Sequence, residues 1–167
     1  EYGAEFRSDI ASFVAPEVVE ACTVQGRHEL PRDSRHRYVA FVDPSGGSSD
    51  SMTLAIAHHE DECTILDLVR ERKAPFSPEA TVSDFSEVLK SYGLSSVTGD
   101  RYAGEWPREQ FRKYGVTYNL SEKPRSDLYR DLLPLLNSGK VELLDVPVLS
   151  RQLCGLERRT GRSGKDN

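Results

Sequence analysis

Two aspartates, Asp43 and Asp100, each close an apolar run: Tyr38-Val39-Ala40-Phe41-Val42-Asp43 and Ser96-Val97-Thr98-Gly99-Asp100. Carboxylates that converge repel one another unless a cation sits between them. Hard divalent ions take oxygen ligands, and Mg2+ typically uses one or two carboxylates together with water and phosphate oxygens. A pair of such ions, about 4 Å apart, activates an attacking water and stabilises the leaving oxygen in phosphodiester cleavage. That chemistry requires Asp43 and Asp100 to share one edge of the fold. An aspartate at a strand end serves equally well to cap a turn, so spacing alone leaves both roles open.

The elements around the two residues decide whether they can meet. Residues 38–43 are apolar at both alternating positions, which predicts a strand buried on both faces and central in its sheet. Pro44 and Gly46-Gly47 stop it. Met52 to Ala57 and Cys63 to Val69 follow as two further strands, with His58 to Glu62 as the turn between them. The short connections predict an antiparallel meander. Ser77-Pro78 then reads as a helix N-cap followed by proline, Val82, Phe85, Val88, Leu89 and Tyr92 recur at helical spacing, and Gly93 ends the run. Because a helix precedes it, the strand ending at Asp100 can pair in parallel with a meander strand through a right-handed crossover. If its neighbour is the strand ending at Asp43, both carboxylates project from one sheet edge, where open sheets place their sites. Gly99, Gly46 and Gly47 would let a substrate backbone approach.

The remaining chain alternates helix and strand. The spacing predicts helices over 106–114, 126–136 and 147–158, and strands over 116–120 and 141–144. The expected fold class is α/β, a mixed sheet of three antiparallel strands followed by parallel ones, with helices on both faces. Residues 4–23 space Phe6, Ile10, Phe13 and Val14 helically until Pro16, and residues 25–37 are polar. Residues 1–37 therefore read as the end of a preceding domain and its linker, and a new domain begins at residue 38. The chain begins at Glu1 without an initiator Met, so it reads as a piece of something longer.

Composition narrows the classes. The chain has 167 residues, enough for one domain with a sizeable core. No apolar run approaches the roughly 18–20 residues of a membrane span, and no secretory signal opens the chain. Cys22, Cys63 and Cys154 are scattered, with no Cys-x-x-Cys pair, which fits packing roles in a reducing cytosol. A net charge of −5 disfavours DNA wrapping by bulk electrostatics. The tail runs the other way. Arg151, Arg158, Arg159, Arg162 and Lys165 face only Glu157, and form either a solvated surface or a phosphate-backbone contact.

Several stretches, in this order, resemble the phage terminase large subunit: Lys73-Ala74-Pro75-Phe76-Ser77-Pro78 lies between Phe41-Val42-Asp43-Pro44-Ser45-Gly46-Gly47-Ser48-Ser49-Asp50-Ser51 and Thr98-Gly99-Asp100-Arg101-Tyr102-Ala103-Gly104-Glu105-Trp106. Gly139 to Asp145 and Arg158 to Asp166 extend the likeness, which covers about residues 38–166. The resemblance implies that residues 38–167 are the ribonuclease H-like nuclease domain of that family, truncated at its C-terminus, which cuts concatemeric double-stranded viral DNA at the initiation and termination of packaging, and that residues 1–37 are the end of its ATPase domain and a linker. It implies Mg2+ or Mn2+ in a two-metal site, with Asp43 and Asp100 as catalytic ligands and Asp50 as a further acidic position near the metal. Arg101, Arg158, Arg159, Arg162 and Lys165 would contact DNA. Terminase small subunit and portal protein would be partners, in the host cytoplasm and transiently at the procapsid portal, with no membrane involved.

Two departures from the family pattern qualify the expectation. A further acidic position, typically in a His-Asp-Asp run, is expected beyond Asn167, so the site within this chain is expected to be incomplete and its activity reduced. The ATPase phosphate loop is also lacking: Gly161-Arg162-Ser163-Gly164-Lys165-Asp166 has the wrong spacing and no hydroxyl after Lys165. Two alternatives stay open: a catalytically idle DNA-binding or docking module, and a resolvase- or transposase-like nuclease of the same fold. His58-His59-Glu60-Asp61-Glu62 is expected to be a solvated hairpin turn rather than a metal cluster, and Trp106 a packing residue rather than a base-stacking one.

Overall fold

A computed structural model describes residues 10–159. Its centre is a seven-stranded mixed sheet. The first three strands of the expected meander are β3 (Tyr38–Asp43), β4 (Met52–Glu60) and β5 (Cys63–Arg72), paired antiparallel. β6 (Ser96–Gly99) adds in parallel to β3, and β7 (Thr117–Leu120) in parallel to β6. On the other side, β8 (Val141–Leu144) joins β5 in parallel, and β2 (Thr23–Val24) joins β8. The order is β2-β8-β5-β4-β3-β6-β7. No helix among the described residues is long and apolar enough to cross a membrane.

Helices α2 (Pro78–Ser91), α3 (Trp106–Lys113) and α4 (Arg125–Asn137) each feed a parallel strand, and each ends by one device. Gly93, Gly115 and Gly139 take positive φ, and the following N–H bonds back to Leu89, Phe111 and Leu135 respectively. This is the Schellman stop, which satisfies the last carbonyls and turns the chain toward the sheet. At the other end of α2, Ser77 caps with its hydroxyl, accepting from the Ala80 N–H at 3.3 Å.

Two clusters of buried side chains cover the sheet. Tyr38, Ala40 and Val42 of β3, with Met52, Leu54 and Ile56 of β4, pack against Val82, Phe85 and Leu89 of α2 and Phe111 of α3. Val141 and Leu143 of β8, with Leu66 of β5, pack against α1 (Pro16–Cys22), Leu136 of α4 and Leu153 of α5 (Pro147–Cys154). Leu66 pairs with Ala57, one residue out of phase with Ile56, so the clusters lie on opposite faces. β3 is central, as expected, but only one of its faces is sealed. Val39, on the other, is 68% exposed.

Some elements differ from expectation for identifiable reasons. Pro16 starts a helix instead of ending one, because proline at the first helical position lacks only an N–H that would go unpaired. Ile10–Ser12 is a strand, β1, paired antiparallel with β9 (Glu157–Arg159). The last helix accordingly stops at Cys154, with Gly155 as its C-cap, rather than reaching Arg158. β4 continues through His58 to Glu60, so the turn shrinks to Asp61-Glu62, with Asp61 at φ 53. Residues 13–24, read from sequence as the end of a preceding domain, supply Phe13, Val14, Val19 and Cys22 to the second cluster.

Candidate active site

Asp43 is the last residue of β3, and Asp100 follows the last residue of β6. The parallel register pairs Phe41 with Thr98 and Val42 with Gly99, so the next step sets Asp43 beside Asp100. The two carboxylates thus meet at the carboxyl edge of adjacent strands, as the element order requires. They line a cleft of about 320 Å3 that is also bordered by Thr53, Ser121, Lys123 and Arg125.

The electrostatics of the pair are those of an anionic site in want of a cation. Burial pushes the Asp43 carboxyl above its ordinary value; Arg125 pulls it back, while the charges of Asp100 and Asp50 push it up further. Arg125 supplies the only cationic contacts among the described residues to both aspartates at once, with Nη2 3.5 Å from Asp43 and 3.9 Å from Asp100. Asp50 is exposed in the loop after β3, where its backbone carbonyl accepts from the Ser45 hydroxyl at 2.7 Å. It is close enough for its charge to act on Asp43.

Asp100 is positioned from behind by Tyr118. The phenol donates to the Asp100 carbonyl at 3.0 Å, and its ring lies directly over Gly99. A Cβ at Gly99 would come within 2.2 Å of the Tyr118 oxygen. The room at this glycine is therefore taken by the protein's own tyrosine and not by substrate. Gly47 is similarly used: a Cβ there would lie 2.5 Å from the Phe76 carbonyl. Only Gly46 among the three has open space around it. Burial, together with the charges of Asp100 and Asp43, pushes the Tyr118 phenol up to about 12, so it remains a donor at neutral pH.

The basic residues separate into groups. Arg101 does not line the cleft but bonds beside it, with Nε donating to the Ser121 carbonyl at 3.0 Å and Nη2 to that of Glu122. It braces the loop after β7. Arg158, exposed on β9, lies beside a second cavity of about 380 Å3 that Arg125 also lines. Arg159 closes the same strand, while Arg162 and Lys165 lie outside the described residues. Trp106, expected to pack inward, is 37% exposed and borders a shallow cavity with Gly46 and Gln110.

Sequence reading missed Arg125 and Lys123. Arg125 opens α4, where the helix dipole disfavours a positive charge. A cation in that unfavourable position was the available signal that negative charge is close by. Lys123 is held by an ion pair to Asp131 at the cleft rim.

For a metal, the fit rests on donor chemistry: half-buried carboxylate oxygens, mutually repelling, with a guanidinium as their present counter-charge. Such a donor set suits hard divalent ions.

No family model and no curated protein matches the chain by sequence. Solved structures do match. The large terminase nuclease of thermophilic phage G20c with bound magnesium superposes with a TM-score of 0.76 at 15% identity, over 93% of this chain and 86% of that one. The nuclease domain of the large terminase subunit gp2 of bacterial virus Sf6 gives 0.68 at 15% identity, over 94% and 87%. The large terminase of bacteriophage HK97 gives 0.73 at 18% identity, over 95% of this chain but 39% of that one, so the chain spans well under half of that protein. The likeness is one of fold, and the fold of this chain is the ribonuclease H-like fold of phage large terminase nuclease domains.

Proposed function

We propose that this chain is a divalent-metal-dependent DNA endonuclease, the cutting domain of a viral DNA-packaging terminase large subunit. The observation that carries the reading is the meeting of Asp43 and Asp100 at neighbouring strand ends, in a fold whose solved neighbours include nuclease domains with magnesium, cobalt, zinc and manganese bound. A bound Mg2+ or Mn2+ would supply Lewis acidity and an activated water for phosphodiester hydrolysis. Asp43 and Asp100 would hold it, Asp50 would add negative charge nearby, and Tyr118 would fix the backbone of Asp100. Arg125 and Lys123, at the rim, suit the phosphate backbone of double-stranded DNA, and contacts of that kind carry no sequence information. Host cytoplasm, portal protein and terminase small subunit belong to the same proposal.

A second reading has one observation in its favour. Arg125 already contacts both carboxylates, as it would in a catalytically idle module that docks DNA or the packaging motor. Incubation of the chain with supercoiled plasmid and Mn2+, beside Asp43→Asn and Asp100→Asn, separates the readings. Nicking that EDTA stops and that falls at least a hundredfold in each variant supports the nuclease. Mn2+ binding that needs both aspartates while the plasmid stays supercoiled supports the idle module. Nicking that survives either substitution removes that residue from the site.

A further inference from the structure

A second group of metal-ligating side chains lies at the opposite end of β3. His58 pairs with Tyr38, the first residue of that strand, whereas Asp43 is the last. Five residues of strand put the two ends roughly 17 Å apart.

His58 is only 5% exposed and Asp67 1%. The His58 Nδ1 lies 2.7 and 2.9 Å from the two Asp67 carboxylate oxygens. An ionised carboxylate only accepts, so Nδ1 carries the hydrogen and the lone pair of the neutral ring sits on Nε2. That is the tautomer of a metal-bound histidine held from behind by a carboxylate. Nε2 is buried with no hydrogen-bond partner among the described residues. It lies 3.7 Å from a Glu60 carboxylate oxygen, and the His36 ring stacks on His58 with centroids 4.2 Å apart. One donor atom from each of His36, His58 and Glu60 falls within 4.8 Å of the others. The three border a cleft of about 620 Å3.

The backbone is built to make this arrangement. The β4–β5 register slips between Ile56 and Ala57: Ile56 pairs with Leu68 and Ala57 with Leu66, leaving Asp67 as the extra residue of a β-bulge. Bulges re-aim side chains. Asp67 and Leu68 are consequently both buried, and the carboxylate reaches the face that carries His58. His36 arrives from the segment before β3. That segment is tied to the sheet by the Leu30 N–H on the Asp67 carbonyl at 2.8 Å and the Asp33 N–H on the Tyr38 hydroxyl at 2.8 Å.

We propose that His36, His58 and Glu60 form a site for a zinc-class divalent ion, with Asp67 orienting His58, that staples the segment entering β3 to the β4–β5 hairpin. Two imidazoles and one carboxylate are the three-ligand set that zinc takes with a fourth position left for water. Mg2+ favours all-oxygen sites, so this site and the acidic cleft discriminate between ions. His58 is fixed, while His36 is half-buried and Glu60 exposed, so an ion would require the His36 ring to turn out of its stack on His58 and Glu60 to close onto the fixed ligand.

The test uses the chain carrying Asp43→Asn and Asp100→Asn, which removes the acidic cleft as a competitor. Zn2+ titration by calorimetry should give one ion per chain with a Kd of micromolar or tighter, unaffected by excess Mg2+. Co2+ in its place should give the visible absorption of a tetrahedral site. Adding His36→Ala or Glu60→Gln, both at accessible positions, should each weaken Zn2+ at least tenfold while leaving the far-UV circular dichroism unchanged. The proposal is overturned if the parent binds no Zn2+, if Mg2+ competes equally, or if both substitutions weaken binding less than tenfold. The last result would leave a buried His58–Asp67 pair with no metal role.

Discussion

At the scale of single residues, Asp43 combines a cost to folding with its place in the cleft. Its carboxyl is raised chiefly by burial, so the folded chain holds that proton more tightly than the unfolded chain does. The penalty is absent below the ordinary carboxylate range and fully present once pH exceeds the raised value. Asp43→Asn removes it and loses only an exposed contact to Arg125, worth about 0–1 kcal/mol. In metal-free buffer at pH 7, Asp43→Asn should therefore melt no lower than the parent, with any advantage fading in acid. Mg2+ should raise the melting temperature of the parent and not of the variant. Calorimetric melts with and without Mg2+ check both; a variant less stable than the parent without metal contradicts the electrostatic account. Gly99 behaves oppositely. A methyl there collides with Tyr118, so Gly99→Ala should cost about 1–3 kcal/mol by urea unfolding. An unchanged midpoint would mean that the ring has room to move. The role of this glycine was illegible in sequence because its neighbour lies on the adjacent strand, with no local pattern linking positions 99 and 118.

At the scale of elements, most strands and helices of the sheet could be read from periodicity and stop signals, and so could the parallel return of β6 to β3. What failed was local and had physical causes. His58 was read as turn because polar residues follow it, yet β4 continues and buries its ring against Asp67. Asp67 sits in a bulge, which breaks the two-residue period on which any strand reading depends. The spacing carries the last helix to Arg158, but pairing of β9 with β1 is a long-range contact that no window around that residue contains. The sidedness of the central strands can be tested directly. Leu54 is fully buried in β4, and Leu54→Ala should cost about 2–5 kcal/mol. Val39, on the open face of β3, should tolerate Thr within about 0.5 kcal/mol. Equal costs in chemical denaturation would show that both faces of β3 are sealed in solution.

At the scale of the molecule, the sheet separates two chemistries along its central strands. Oxygen donors converge at the carboxyl end of β3 and imidazole donors at its start, while α1 and β2 tie the early chain to the far edge. Although the net charge is −5, Arg125 and Lys123 place positive charge at the cleft, and Arg158 beyond it. The proposed nuclease reading depends first on whether the acidic cleft takes an ion. The direct measurement is anomalous diffraction from crystals of the chain soaked in Mn2+. A metal held by the pair gives a peak within coordination distance of carboxylate oxygens of both Asp43 and Asp100, with the Arg125 guanidinium displaced. Strong manganese peaks elsewhere and none between these aspartates, with Arg125 still in contact with both, would contradict it.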